Sequence, residues 1–140
     1  MSRIFWDTNL FIYLLEDYGR LSKAVVKHRR NMLTRGDQLL TSALTLGEIL
    51  VKPAEKGNHE LCRKYEEAIT RVALIVPLDL KAARLYASIR RDRSLRAPDA
   101  VQLACAGAAV VDLFVTNDRR LHKKRVDGIQ FIVSLDEAPV

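Results

Sequence analysis

The sequence predicts an α/β fold, a three-layer sandwich around a mostly parallel sheet of about five strands. Three observations lead to this prediction. Short apolar runs alternate with longer segments of helical periodicity, which is the pattern of parallel strands joined by helical crossovers. The chain has 140 residues, a usual size for one domain, so residues 1–140 are expected to form a single domain. Its apolar fraction of 49% is enough for a sizeable core.

The first half of the chain contains two predicted strands, each followed by a helix. An apolar run at the start of the chain indicates a buried strand, and Asp7 ends it ahead of turn and cap residues. The predicted elements are a strand at Ile4–Trp6, a helix at Leu10–Leu15, a helix at Ser22–Arg35 with an apolar face of Leu21, Val25, Val26 and Leu33 and a stop at Gly36, a strand at Gln38–Thr41, and a helix at Ser42–Val51 that Lys52-Pro53 ends or kinks.

The second half repeats the alternation after a break at Gly57-Asn58. Proline at the start of a helix and an acid in its first turn make Arg96-Ala97-Pro98-Asp99 a strong helix start. The helix that follows is apolar nearly all round, so we expect it to be buried against the sheet. The predicted elements are a helix at His59–Thr70, a strand at Leu74–Val76, a helix at Leu80–Arg91 capped by Asp79 with an apolar side of Leu80, Ala83 and Ala87 to which Leu85 and Ile89 are further candidates, a helix at Ala100–Val110, and strands at Leu113–Val115 and Phe131–Val133.

The charge of the chain favours a polyanionic partner. The formal net charge is +6 and the pI is about 9.6. Basic residues cluster at Lys27–Arg30, Arg90–Arg96, Arg119–Arg120 and Lys123–Arg125. Any one cluster is explained by a solvated helix face, but together they indicate nucleic acid or an acidic protein as a partner.

The patterns of cysteine, histidine and apolar residues argue against a disulfide-bonded protein, a zinc protein and a membrane protein. Cys62 and Cys105 need no disulfide to explain them, and no histidine has the spacing of a zinc ligand. The longest apolar run near the end, Leu103–Val111, is too short to cross a bilayer, so we expect no membrane association. The first residues lack the features of a signal peptide, and we expect a cytoplasmic protein.

Four acids lie beside strand ends or near helix starts. Asp7 and Asp118 each follow an apolar strand, and Asp99 lies in the first turn of the apolar helix. Glu48 stands in a helical segment among leucine, isoleucine and valine, where a carboxylate is unusual. Each acid taken alone has an ordinary explanation as a turn residue, a cap, a dipole-stabilising acid or a solvent-facing residue.

Parallel connectivity would bring all four acids to one edge of the sheet. A like-charged pair about 4 Å apart costs roughly 4 kcal/mol at an effective dielectric near 20, so four carboxylates there need a counter-charge. A divalent cation supplies one, and an all-oxygen ligand set points to Mg²⁺ or Mn²⁺. The sequence therefore predicts a metal site formed by Asp7, Glu48, Asp99 and Asp118.

At these motifs the chain resembles PIN-domain nucleases. The motifs are Asp7-Thr8-Asn9, Thr45-Leu46-Gly47-Glu48, Pro98-Asp99-Ala100 and Thr116-Asn117-Asp118. Length and element order are similar to VapC-type toxins of toxin–antitoxin pairs, and the resemblance covers the whole chain. It implies a Mg²⁺ or Mn²⁺ site that cleaves single-stranded RNA, with Asn9, Thr45 and Thr116 as supporting residues. It also implies a homodimer and an antitoxin whose tail blocks the site.

The chemistry follows from the charges of these residues. A metal-held water would attack phosphorus while the metal offsets charge on the phosphate. We expect Asp7 and Asp99 to be direct ligands, and Glu48 and Asp118 to bind through water or to orient the nucleophile. Arg96 and Arg91 are candidates to hold a neighbouring phosphate. Where some relatives carry a further acid, two residues after Asp118, this chain has Arg120, which disfavours a fully occupied second metal site.

Two other classes of function compete with this hypothesis. A phosphotransfer enzyme could use Asp7 as its nucleophile, but a haloacid-dehalogenase-like site wants an acid where Asn9 stands. A receiver domain wants an acidic pair on the first strand and a lysine after a late strand, and neither is evident. The second alternative is a PIN-like module that binds RNA or a protein without cutting, against which the intact set of four acids argues.

Overall fold

A computed structural model describes residues 1–138 as strands and helices in alternation. The elements in chain order are β1 (Arg3–Trp6), α1 (Thr8–Leu15), α2 (Arg20–Arg35), β2 (Gln38–Ser42), α3 (Ala43–Glu55), α4 (His59–Val72), β3 (Leu74–Val76), α5 (Leu80–Ile89), α6 (Ala97–Ala109), β4 (Val111–Val115), a 3₁₀ turn (Arg119–Leu121) and β5 (Ile129–Val133). The predicted α/β fold is confirmed.

The five strands form one sheet, and all of its pairings are parallel. Their order is β3-β2-β1-β4-β5, so β1 lies in the middle. From β1 the chain runs outward through β2 and β3, then returns to the other side of β1 for β4 and β5. In an open parallel sheet, the crevice at the carboxyl ends of the strands beside such a reversal is where sites form. Here that crevice follows Trp6 and Val115, which pair with each other.

Two apolar cores lie on opposite faces of the sheet and produce the three layers. Alternate residues of β1 serve both cores, since Ile4 and Trp6 belong to one and Phe5 to the other. On the first face Trp6 packs edge-on against Phe11 of α1. On the second face Phe5 stacks on Phe114 at 5.2 Å, beside the buried side chains of α6.

A close approach at Gly128 fixes α6 against the turn before β5. Gly128 has φ +88°, in the left-handed region that favours glycine. A Cβ atom there would overlap the carbonyl oxygen of Gly107, which lies in α6. The buried, alanine-rich helix that the sequence predicts is therefore confirmed, and it packs closely against its surroundings.

Three details of the helices differ from the sequence prediction. Helix α3 continues through the buried Pro53 to Glu55, because a proline near the last turn removes one backbone hydrogen bond while its ring still packs. Helix α5 ends two residues early, and three residues of its predicted apolar side face solvent, while the further candidates Leu85 and Ile89 are half-buried. The exposed residues are Leu80, Ala83 and Ala87, while Ala82 is buried and Tyr86 is half-buried.

The buried face of helix α2 differs in part from the predicted one. Val25 is buried as predicted, but Val26 and Leu33 are exposed, and His28 and Met32 are buried. The spacing of the buried three is helical, but one of them is histidine, so the apolar pattern alone misjudged the face. Within residues 1–138, no helix is both long and apolar enough to cross a membrane.

Candidate functional site

Asp7 lies at the end of β1 and caps α1. Its backbone N–H donates to the carbonyl oxygen of Val115 (3.0 Å), which ties the end of β1 to β4. Oδ1 accepts from the backbone N–H of Thr8 (2.8 Å) and from Nε2 of Gln102 (3.3 Å), and Oδ2 accepts from Oγ1 of Thr116 (2.7 Å). Burial raises the pKa of Asp7 despite these hydrogen bonds, and the nearby charges of Glu48 and Asp118 raise it further.

The four acids singled out by the sequence line one cleft of about 360 Å³. The structure therefore brings together carboxylates that lie 19 or more positions apart in the sequence, because parallel strands end at one edge of the sheet. We call this space the carboxylate cleft. Its lining residues are Asp7, Thr8, Asn9, Ile12, Glu48, Arg96, Pro98, Asp99, Gln102 and Asp118.

Asp99 is held at the start of α6 by the local helix geometry. It is 8% exposed and stands three residues after Arg96, the N-cap of the helix. Its Oδ2 accepts from the backbone N–H of Arg96 (3.1 Å), one half of a capping box. The Arg96 Nε atom lies 3.5 Å from the same oxygen, and most of the Arg96 side chain is exposed.

Asp118 caps the 3₁₀ turn that follows β4 and pairs with Arg120. Its Oδ1 accepts from the backbone N–H and from Nε of Arg120, both at 3.1 Å, and its Oδ2 pairs with Nη2 of Arg120. Partial burial acts to raise the pKa of Asp118, but the hydrogen bonds from Arg120 outweigh it and hold the pKa below its usual range. Nη2 of Arg120 also lies 3.3 Å from Oδ2 of Asp99.

Glu48 lies on the exposed side of α3 but is tied to the cleft by Thr8. The Thr8 hydroxyl donates to Oε1 of Glu48 (2.7 Å). Since that uses its only proton, the Thr45 hydroxyl donates to Thr8 Oγ1 (3.1 Å). Glu48 is thus a solvent-facing residue that is hydrogen-bonded to the first turn of α1.

Gln102 is the residue that sequence reasoning missed. Its buried Nε2 lies 2.7 Å from Thr45 Oγ1, 3.0 Å from Thr8 Oγ1 and 3.3 Å from Asp7 Oδ1. Its Oε1 accepts from the hydroxyl of Ser42. A signal was present, because Gln102 is the one long polar side chain in an otherwise apolar helix and follows Asp99 by three residues, on the same face.

The donor set of the carboxylate cleft fits a hard divalent cation. Asn9 Oδ1 is buried and has no hydrogen-bond partner among residues 1–138, so it can accept from a water bound in the cleft. Within the described part of the chain, Asp7 Oδ2 accepts one hydrogen bond and Asp99 Oδ1 accepts only a long contact of 3.5 Å from Arg120, so both keep lone pairs free. Oxygen atoms of this kind are the ligands that Mg²⁺ and Mn²⁺ take.

The acids are not drawn together as a finished metal cage. Among residues 1–138, no three histidine, cysteine, aspartate or glutamate side chains converge closely enough to hold a metal ion. Guanidinium groups pair with Asp99 and Asp118 instead. Arg91, a predicted phosphate ligand, lines a separate cleft with Asp92 and Lys124, so the structure does not bring it to the acids.

An apolar groove of about 240 Å³ opens beside the carboxylate cleft, between α1, α3 and α4. It shares Ile12 and Glu48 with the cleft. The groove is lined by Ile12, Leu15, Glu16, Glu48, Ile49, Lys52, Pro53, Lys56, Asn58, Leu61 and Tyr65. Its walls are mostly apolar, with two lysines at positions 52 and 56.

Comparisons with known proteins agree with this geometry. The family model of the PIN domain matches residues 4–127, whereas no curated protein matches the sequence. Solved structures share the fold at low identity. A chain of VapBC2 from Rickettsia felis, bound to a promoter DNA fragment, is 14% identical with a TM-score of 0.74, over 94% of this chain and 98% of that one. A chain of DNA-bound VapBC from Salmonella typhimurium is 21% identical with a TM-score of 0.72, over 96% of this chain and 99% of that one. A chain of VapBC-5 from Mycobacterium tuberculosis, a member of the VapBC family of toxin–antitoxin systems, is 19% identical with a TM-score of 0.62, over 95% of this chain and 99% of that one.

Proposed function

The chain belongs to the PIN-domain family, and on that premise we propose that it is a Mg²⁺- or Mn²⁺-dependent endoribonuclease, the toxin of a type II toxin–antitoxin pair. Its substrate is single-stranded RNA. One observation carries the proposal: four carboxylates line the same cleft at the ends of the strands, together with a buried amide oxygen that has no partner among residues 1–138. An oxygen-rich pocket of this kind suits metal-assisted cleavage of a phosphodiester.

The residues of the carboxylate cleft have different roles in this chemistry. Asp7 and Asp99 hold the cation, since each keeps a free lone pair. When bound, a divalent cation supplies charge that offsets the growing charge of the phosphate and makes water more acidic. Glu48, oriented by the Thr8 hydroxyl, takes the proton of the attacking water.

The basic residues near the cleft bind the substrate. The Arg96 side chain is 71% exposed at the cleft wall, so its guanidinium can leave Asp99 for a phosphate of the RNA at little cost. Basic clusters elsewhere on the chain, which has a net charge of +6, attract the rest of the strand. Thr116 and Gln102 act on the chemistry indirectly by orienting the carboxylate of Asp7.

An antitoxin is the protein partner in this proposal. A peptide segment in the apolar groove reaches the carboxylate cleft directly, because Ile12 and Glu48 line both. Lys52 and Lys56 would pair with acidic residues of that segment. The similar structures named above are of VapBC pairs, which supports a partner of this kind.

A homodimer is the remaining part of the proposal. Val72, Leu74, Leu78 and Leu80 are exposed around β3, an edge strand of the sheet. Exposed apolar side chains grouped along an edge favour association with another copy. Sedimentation analysis should give twice the mass of 15.9 kDa, and Leu80→Glu should shift it toward the monomer.

One observation favours a second candidate, a PIN-like module that binds RNA without cutting it. Guanidinium groups already pair with Asp99 and Asp118, and a site that stays in this state holds no metal there. Binding of RNA without product formation, at any Mn²⁺ or Mg²⁺ concentration, would identify this second function.

The deciding experiment is a cleavage assay with a matched control. End-labelled single-stranded RNAs of mixed sequence are incubated with the purified protein and Mn²⁺, Mg²⁺ or EDTA. Cleavage should require the metal and disappear in Asp7→Asn. Asp136→Asn removes one carboxylate charge from an exposed turn away from the cleft and should cleave like the parent. Intact RNA with both metals would refute the enzyme assignment.

The toxin assignment has a separate test. A small open reading frame should lie beside the one that encodes this chain, and its product should bind the protein and stop cleavage. If the neighbouring product neither binds nor inhibits, the toxin assignment fails while the nuclease assignment stands.

A further inference from the structure

Arg120 stands between two of the four acids, and we propose that it serves as a built-in cation of the carboxylate cleft. Its guanidinium takes the place of a second metal ion, so that the cleft binds one divalent cation per chain. The inference rests on the proposed function, because it concerns the same acids.

The contacts of Arg120 are those of a bridging cation. Nε and Nη2 form a fork on the two carboxylate oxygens of Asp118, with Nε 3.1 Å from Oδ1. Nη2 also reaches Oδ2 of Asp99 at 3.3 Å. A bidentate guanidinium–carboxylate pair is among the stronger charge-assisted contacts and fixes geometry as well as charge. Two acids from different elements, α6 and the turn after β4, are thereby held by one positive group.

The main chain presents Arg120 to these acids. The backbone N–H of Arg120 donates to Asp118 Oδ1 (3.1 Å), so the carboxylate caps the same turn that carries the arginine. Leu121, the next residue, is 1% exposed and anchors the turn in the core. Arg119 lies in the same turn but lines a different cleft, beside Asp136 and Glu137. The turn therefore directs one of its two arginines to the acids.

The remaining charge matches a single divalent cation. Asp99 and Asp118 are paired with Arg120, and Asp99 also with Arg96. Asp7 and Glu48 have no basic partner within 4 Å among residues 1–138. Four carboxylates and two guanidinium groups leave two formal negative charges, which one divalent ion balances. A second ion at Asp99 and Asp118 would have to displace the guanidinium fork.

The experiment counts bound Mn²⁺ per chain by equilibrium dialysis, with four variants that separate charge from position. Arg120→Gln removes the charge at similar length, Arg120→Glu reverses it, and Arg120→Lys keeps it. Arg119→Gln is the matched control, since it removes a charge from the same turn on the side away from the acids. Thermal melts in EDTA verify that each variant is folded.

The parent, Arg119→Gln and Arg120→Lys should each bind one Mn²⁺, while Arg120→Gln and Arg120→Glu should bind two. Without the fixed positive charge nearby, the first site of Arg120→Gln should also tighten by roughly tenfold. A parent that binds two ions, or an Arg120→Glu variant that still binds one with the affinity of the parent, overturns the inference and leaves the proposed function intact. A parent that binds no Mn²⁺ overturns both.

Discussion

Replacing Asp7 by asparagine separates the role of its charge from the role of its shape. The asparagine oxygen can still accept from the backbone N–H of Thr8 and from Gln102, so the cap of α1 is kept. The new amide group faces Thr116 Oγ1, which already accepts from the backbone N–H of Asp118 (3.0 Å). The buried Thr116 hydroxyl must turn its proton away, at a cost of about 1 kcal/mol for a lost hydrogen bond.

The gain from removing the charge exceeds that cost in the metal-free protein. Burial raises the pKa of Asp7, so its ionised form at neutral pH is less stable in the folded state than in the unfolded state. At an effective dielectric near 20, two like charges repel by about 2 kcal/mol even when they are about 8 Å apart. Glu48, which has no basic partner among the described residues, repels the charge of Asp7. Metal-free Asp7→Asn should therefore be at least as stable as the parent.

Metal should reverse the order of stability. An ion that binds only the folded parent adds about 2.7 kcal/mol at a hundredfold excess over its dissociation constant. For a chain of this length that is a rise of roughly 10 °C in Tm. Asp7→Asn loses a ligand and should lose most of this rise, together with cleavage, whereas Asp136→Asn should keep both.

Thermal melts of the three proteins in EDTA and in excess Mn²⁺ measure both effects. Two results would refute the reasoning. If the metal shifts Tm equally in parent and Asp7→Asn, Asp7 is not a ligand. If the Tm of the metal-free variant lies well below that of the parent, the charge of Asp7 does not destabilise the folded state, and its structural role as a cap dominates.

Three further outcomes test other parts of the structure. Gln102→Leu leaves the hydroxyls of Thr8 and Thr45 and the carboxylate of Asp7 without the donor at Gln102. The free energy of unfolding in urea titrations should therefore fall by about 1–3 kcal/mol. The kcat should also fall, because Asp7 is no longer oriented. Burial, helped by the charge of Arg35, lowers the pKa of His28 to about 4 from 6.5. As the pH falls, the unfolded chain therefore binds the proton first, and the free energy of unfolding should drop by up to about 3 kcal/mol between pH 6.5 and pH 4. Urea titrations of His28→Phe should lack this part of the pH dependence. RNA binding should weaken with salt, and each neutralised phosphate should add about −0.7 to the slope of the logarithm of the binding constant against the logarithm of the salt concentration. Anisotropy titrations should give a smaller slope for Arg96→Ala. Binding that does not depend on salt would exclude this electrostatic account.

The strands and the general place of the site could be predicted because both depend on short-range patterns. Short apolar runs mark the five strands, which are three to five residues long, and alternation with helices favours parallel pairing. Parallel pairing in turn sends Asp7 and Asp118 to one edge of the sheet. The prediction of one shared cleft needed only this topology, with no knowledge of side-chain packing.

Contacts between distant helices could not be predicted in the same way. Gln102 meets Thr45 and Thr8 only because α6 packs beside α3 and α1, at sequence separations of 57 and 94 residues. The buried face of α2 was misjudged for a related reason, since His28 packs at 5.6 Å against the ring of Trp6 and counts as apolar surface there. Arg120 was noticed as a departure, but its pairing with Asp99 depends on the path of the turn.

The structural roles of these acids are compatible with the catalytic roles proposed for them, because a capping carboxylate can serve both. Asp7 caps α1, Asp99 accepts from the N-cap backbone N–H of α6, and Asp118 caps the 3₁₀ turn. A helix N-terminus stabilises a nearby negative charge, so a carboxylate suits each of these capping positions. In a parallel sheet these helix starts follow the strand ends, and their caps therefore face a common space. Repulsion between the acids in that space is the cost. Arg96 and Arg120 offset part of it, and the proposed cation would offset more.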